Sequence, residues 1–233
     1  MTSELPLTVD AVIQRMKQID ATLDARDGVA CFNRMYLEVT ELVAQNITEG
    51  FFQDAAFIER MDVIFAGLYF RSVDAAIAKR PVNPAWKPLF EARDDEMLWP
   101  IQFALAGMNA HINHDLALSV IATCKERGTT PETPPVHADY LRVNALLAKA
   151  EAEVRASFEP KLVHLATQEA ETLKHIVGSF GIDRARDAAW INAQLLWPNR
   201  NNPVLYDAAT TVLALNVGFA GKLLLTPVIP PID

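Results

Sequence analysis

The chain has 233 residues, of which 51% are hydrophobic and 21% charged, with only 9 glycines and a net charge of −8. That composition belongs to a folded, core-forming chain and not to a disordered one, and the scarcity of glycine disfavours turn-rich all-β architectures. An acidic balance with no basic run excludes a phosphate-tracking surface, so no nucleic acid is expected as a partner.

Helical periodicity dominates and no segment sustains period-2 alternation, so the expected fold is all-α. It reads as a single compact multi-helix bundle with a buried central helix, one domain over residues 1–233. The N-terminal MTSELPLTVD lacks the basic and apolar regions of a secretory signal. Thr8 is placed to cap a first helix from Val9 to Leu23, and a second spans Gly28 to Thr48 until GFF breaks it. A third runs from Asp54 to Lys79 and ends at Pro81, Pro84 and Pro88, in a connection with a short helical turn around Trp86. Then come Pro100 to Glu126, Ala138 to Ser157, Lys161 to Ser179, Asp183 to Leu196 and Pro203 to Leu225.

Cys31 and Cys124 fall in apolar helical patterns without metal-type spacing. They read as buried free thiols, and the expected compartment is the cytoplasm. The stretch TVLALNVGFAGKLLL, Thr211 to Leu225, is interrupted by Asn216 and Lys222. It is shorter than the roughly 20 apolar residues a spanning helix needs, so a buried C-terminal helix is expected and no membrane span. The sequence is also compatible with a homodimer formed through an exposed apolar helix face.

The helix from Pro100 carries the densest chemistry. GMNAHINHDL, Gly107 to Leu116, sets two asparagines, two histidines and an aspartate among residues that suit a core. At 100° per residue, Gln102, Asn109 and Asn113 fall within about 40° of one another, whereas His111, His114 and Asp115 span about 100° on the opposite side. Buried amides ordinarily satisfy backbone groups of neighbouring elements. Three ionisable groups at i, i+3 and i+4 on a buried surface are costly without partners. Two neutral imidazoles and a carboxylate at that spacing can point into one coordination sphere, so His111, His114 and Asp115 are candidate ligands for a divalent metal, zinc or iron. The competing arrangement is a carboxylate that orients His111 across one helical turn.

Further candidates lie on other helices. Asp62 shares an apolar stripe with Ile58, Phe65 and Tyr69, and Asn33, Tyr36, Glu38 and Thr40 interrupt the core pattern of the second helix. Asp139 and Asn144 come third. His111, His114, Asp115 and Asp62 are therefore the candidate catalytic residues, and Asn109, Asn113, Tyr36 and Tyr69 the candidate substrate-binding ones.

Several known patterns fit poorly. Metal-dependent HD phosphohydrolases and related oxygenases need an earlier histidine, and none precedes His111. Class I terpene cyclases are approached only by RDDEM, Arg93 to Met97, without the second metal motif. Paired Glu-x-x-His motifs, the G-x-S-x-G elbow, the P-loop and the dinucleotide fingerprint are all missing.

FNRMYLEVTELV, FAGLYF, AWKPLF, GMNAHINHDL and DYLRVNALL together resemble the domain-of-unknown-function family numbered 5995, over about Cys31 to Val154, with GMNAHINHDL as the hallmark. The family is found largely in actinobacteria and related soil organisms. The resemblance implies that Asn109, His111, Asn113, His114 and Asp115 act as one unit, and it implies no activity. The resulting expectation is an enzyme acting on a small, mainly apolar metabolite through a buried His/Asp cluster. It would be either a metal-dependent hydrolase or oxygenase, or a metal-free acid-base lyase or cyclase. The alternatives are a non-catalytic binding protein for a hydrophobic small molecule and a terpene-cyclase-like enzyme.

Overall fold

A computed structural model of the chain describes residues 5–147 and 181–227. These residues are helical throughout with no strand among them, as the periodicity predicts. Helix α1 covers Val9–Thr22, α2 Gly28–Thr48, α3 Ala55–Ile77 and α4 Lys87–Ala92. Helix α5, Pro100–Ala110, passes into a π-helical turn, His111–Leu116, and continues as α6, Ala117–Arg127. A helical run over 136–147 follows, then α7, Ile182–Leu196, and α8, Pro203–Leu224. The helix expected from Lys161 to Ser179, and the end of the one expected from Ala138 to Ser157, lie outside the described residues.

Local chemistry sets the helix starts. The Thr8 hydroxyl accepts from the Ala11 N–H, Asp27 from Val29 and Ala30, Asp54 from Phe57, and Asn202 from Leu205. Each satisfies donors that a first helical turn leaves unpaired. Gly128, at φ +66°, closes α6 in the left-handed conformation, which costs glycine least.

The α5–π–α6 column is the buried centre, and all of Ile101 to Ala110 is out of solvent. Around it stand α2 and α8 against α5, α3 against α6, and α7 against the π turn. The α2–α5 crossing is close because two glycines admit two rings. A Cβ at Gly28 would stand inside the Phe103 ring, and one at Gly107 inside the Phe32 ring. Across the column, a Cβ at Gly218 of α8 would collide with the Pro84 carbonyl, so α8 rides directly on the proline-rich connection.

Two expectations need correction. The helix from Pro100 does not keep a 3.6-residue period, because the π turn, with its wider i→i+5 bonding, interrupts it at the hallmark sequence. Nor is the C-terminal helix buried all round. Only Ala214, Val217, Gly218 and Gly221 of α8 are buried, since small residues on one face suffice to dock it. Among the described residues α8 is the one helix long and apolar enough to cross a membrane.

Candidate functional site

The π turn brings both histidines of the hallmark onto one carboxylate. Asp115 Oδ2 lies 3.1 Å from His111 Nδ1, and Oδ1 lies 2.7 Å from His114 Nδ1. A third donor, Trp86 Nε1, reaches Oδ2 at 2.8 Å from the turn before α4. All four side chains are buried. Burial pushes the Asp115 carboxyl upward, but the hydrogen bonds from His111 and His114 outweigh it and hold the group below the usual carboxylate range. Asp115 is therefore a carboxylate with no proton to give, so each Nδ1 that faces it carries the proton.

That tautomer has a consequence for His111. Burial lowers its pKa, and the bond and charge of Asp115 offset this only in part, so the ring is neutral with its lone pair on Nε2. Nε2 is buried and has no hydrogen-bond partner. The ring is held from all sides by other rings. Phe65 stacks on it at 3.4 Å between centroids and 7° between planes, Tyr36 meets it edge-on at 4.3 Å, and Phe32 and Trp86 each stand at 5.7 Å.

His111 lines an apolar cavity of about 110 Å³ between α2, α3, α5, the π turn and α7, with Met35, Val39, Met61, Leu105 and Ile112 among its walls. Four lining residues are polar: Tyr36, Asp62, His111 and Arg186. Three of them hold a buried atom without a partner, Tyr36 Oη, Asp62 Oδ2 and His111 Nε2. Burial pushes the Asp62 carboxyl up to about 7. The Tyr36 hydroxyl is raised by burial and by the neighbouring Asp62. Thr40 lies close enough to temper that rise, but its own proton goes to the Tyr36 carbonyl oxygen at 2.9 Å.

Arg186 is not among the residues that the sequence singles out. Yet it shares a stripe of α7 with Ile182, Ala189, Trp190 and Ala193, all buried, the same criterion that singles out Asp62. Its guanidinium donates to the Tyr140 carbonyl at 2.8 Å and to the Asn144 side chain, and lies over the Tyr140 ring at 4.2 Å. Burial lowers its pKa. Trp86 escaped too, and the only hint was an indole set between prolines, where a turn fixes its direction.

The remaining candidates do other work. Asn109 donates to the Val217 carbonyl at 2.9 Å, Asn113 donates to Asn109 at 3.2 Å, and Gln102 donates to the Leu224 and Thr226 carbonyls, both at 2.9 Å. This is the backbone-satisfying role expected of buried amides, and it fastens α8 to the column. Asn109, Asn113 and Tyr69 do not line the cavity. Tyr69 donates to Asn33 at 3.2 Å, and Asn33 donates to the Met16 carbonyl at 3.0 Å. Asp139 accepts from the Gln53 and Asp54 N–H groups at the start of α3. RDDEM lies in the turn before α5, with Asp94, Asp95 and Glu96 exposed and none of them at the cavity.

The expected coordination sphere of His111, His114 and Asp115 is replaced by a hydrogen-bond network. Both Nδ1 atoms and both carboxylate oxygens are engaged with one another, and among the described residues no three His, Cys, Asp or Glu side chains are grouped to hold a metal ion.

The fold and the site thus define an all-α protein whose central column carries a closed His–Asp–Trp network beside an apolar cavity. The chain belongs to the family of unknown function DUF5995, whose model matches residues 9–227. That span reaches beyond the Cys31 to Val154 segment carrying the sequence resemblance. No curated protein and no solved structure is similar to the chain.

Proposed function

We propose that this protein is an acid-base enzyme for a small, mainly apolar molecule bound in the cavity beside His111. The observation that carries the reading is the bare Nε2 of His111: a neutral imidazole, oriented by an ionised Asp115, on a residue that lines the cavity, with a buried lone pair that has nothing to accept from. A carboxylate on Nδ1 fixes the tautomer and stabilises the imidazolium that forms when Nε2 takes a proton, the arrangement of a general base. Asp62, protonated up to about pH 7, supplies the complementary acid, because two titratable groups with opposed environments divide the acid and base roles. Tyr36 and Arg186 would hold the polar end of the substrate.

Size limits the substrate. A dry cavity of ~150 Å³ takes benzene, so about 110 Å³ suits one small ring or a short branched chain with a single polar group. The second reading, a non-catalytic binding protein, is favoured by the near-complete apolar lining, which would hold such a molecule without chemistry.

The test is proton exchange. The protein is incubated in D₂O with a panel of apolar ketones and aldehydes of about four to six carbons, the size the cavity admits, and deuterium uptake next to the carbonyl is followed by mass spectrometry. The expected result is uptake by the parent that falls about 100-fold or more in His111→Gln, the range general-base catalysis supplies. Saturable binding of the same compounds without uptake in either protein would support the binding reading. Neither binding nor uptake would leave the network a structural one.

A further inference from the structure

We infer that the outer face of α8 is a self-association surface, and that two copies of this chain pair α8 against α8 in antiparallel fashion. Val204, Leu205, Val212, Leu215, Phe219 and Leu223 are between 51 and 78% exposed. At 100° per residue they all fall within an arc of about 100°, so they make one continuous apolar stripe along the length of the helix. Six such side chains at about 100 Å² each give roughly 600 Å² of apolar surface, at or above the largest patch a typical monomer leaves in water. With a polar rim of ordinary proportion the stripe reaches the ~800 Å² that each partner gives to a standard interface.

The charges choose the occupant and its direction. Helix α8 holds only two, Asp207 near its start and Lys222 near its end. Both are exposed, both project on the same side of the stripe, and neither has an ion-pair partner among the described residues. An antiparallel pair related by a twofold axis sets Asp207 of each copy towards Lys222 of the other, twice. A parallel pair would leave the two copies' charges on opposite edges of the stripe, with no Asp207–Lys222 contact between copies.

A bilayer fits less well. The opposite face of α8 is committed to the domain: Gly218 lies on Pro84, the Val217 carbonyl accepts from Asn109, and the Leu224 carbonyl from Gln102. Moving α8 into lipid would orphan those amides. A net charge of −8 also opposes docking on an anionic membrane surface.

Sedimentation equilibrium of the full chain tests the proposal at micromolar concentration, with the Leu215→Glu, Phe219→Glu double variant and the charge variants Asp207→Lys, Lys222→Asp and their combination. The parent should sediment at twice the chain mass and the Leu215/Phe219 variant at the chain mass with unchanged helical circular dichroism. Each single charge variant should weaken the dimer several-fold, and the charge-swapped pair should recover it, a rescue that a merely sticky surface would not give. A monomeric parent, or a dimer that survives both glutamates, would overturn the proposal. Co-flotation of the parent with neutral phosphatidylcholine vesicles, abolished by the glutamates, would overturn it in favour of a membrane.

Discussion

The two sides of the central column carry polar residues of similar number and burial, yet they end differently. On the side facing α8, Gln102, Asn109 and Asn113 donate to carbonyl oxygens or to one another, and none of their buried atoms is left over. On the other side three donors converge on Asp115, but His111 Nε2, Asp62 Oδ2 and Tyr36 Oη remain without partners around one cavity. Buried polar atoms in native proteins are nearly always satisfied, and three of the exceptions among the described residues belong to side chains lining this one cavity, which is what the proposed function rests on. Burial alone would not have told the sides apart.

The largest effect separating the two sides should come from Asp115→Ala. It strips the acceptor from Trp86, His111 and His114 together, and a loss of about 3–5 kcal/mol is expected in urea unfolding, as for other broken buried charge networks. A loss no greater than that of an amide variant would erase the distinction. With its folded pKa depressed, the contribution of Asp115 is fully present above the unfolded carboxyl value of about 4 and is lost as pH falls through the folded one.

Asp62→Asn should act in the opposite direction. Asp62 keeps its proton to about pH 7 when folded and to about pH 4 when unfolded. Its contribution is therefore fully present below pH 4 and is lost as pH rises through 7. Replacing it by a neutral amide should stabilise the protein at pH 8 by up to ~4 kcal/mol and change little at pH 4. A stability profile parallel to that of the parent between pH 4 and 8 would show that Asp62 is hydrated or paired. Stabilisation would accord with a residue kept for activity at the expense of the fold.

Asn109→Ala belongs to the side facing α8 and should cost about 1–3 kcal/mol, the penalty for losing the bond to the Val217 carbonyl and orphaning the Asn113 amide. It should leave proton exchange or ligand binding in the cavity unchanged, and a large change there would join the two sides into one site. Arg60→Ala sets the lower end of the scale. Arg60 pairs with Glu126 at 2.6 and 3.0 Å between α3 and α6, at the surface, and exposed pairs are worth less than about 1 kcal/mol.

Much of the architecture was legible because it follows from local rules. Thr8 caps the first helix as read from the sequence, and α2 begins and ends on the expected residues. The His111–Asp115 contact was legible as well, since i and i+4 meet in any helix-like turn. What the wheel could not supply is the π turn: HINHDL carries no composition signal for a wider helix, and the convergence of His114 on the same carboxylate arises there. Trp86 and Arg186 lay hidden for another reason. Their partners are 29 and 42 residues away, in contacts that only tertiary packing creates. The metal expectation rested on spacing, which places three side chains together but does not say whether their lone pairs face an ion or one another, and here both Nδ1 atoms face the carboxylate.

The paired locks at the α2–α5 crossing bear on how this family can change over time. Gly28 admits the Phe103 ring and Gly107 the Phe32 ring, and Phe32 is one wall of the aromatic box around His111. Each glycine is thus tied sterically to the ring it faces. In related chains, a larger residue at 28 or 107 should occur only where the matching phenylalanine has become small, so these two pairs should drift in step even though neither glycine touches the cavity.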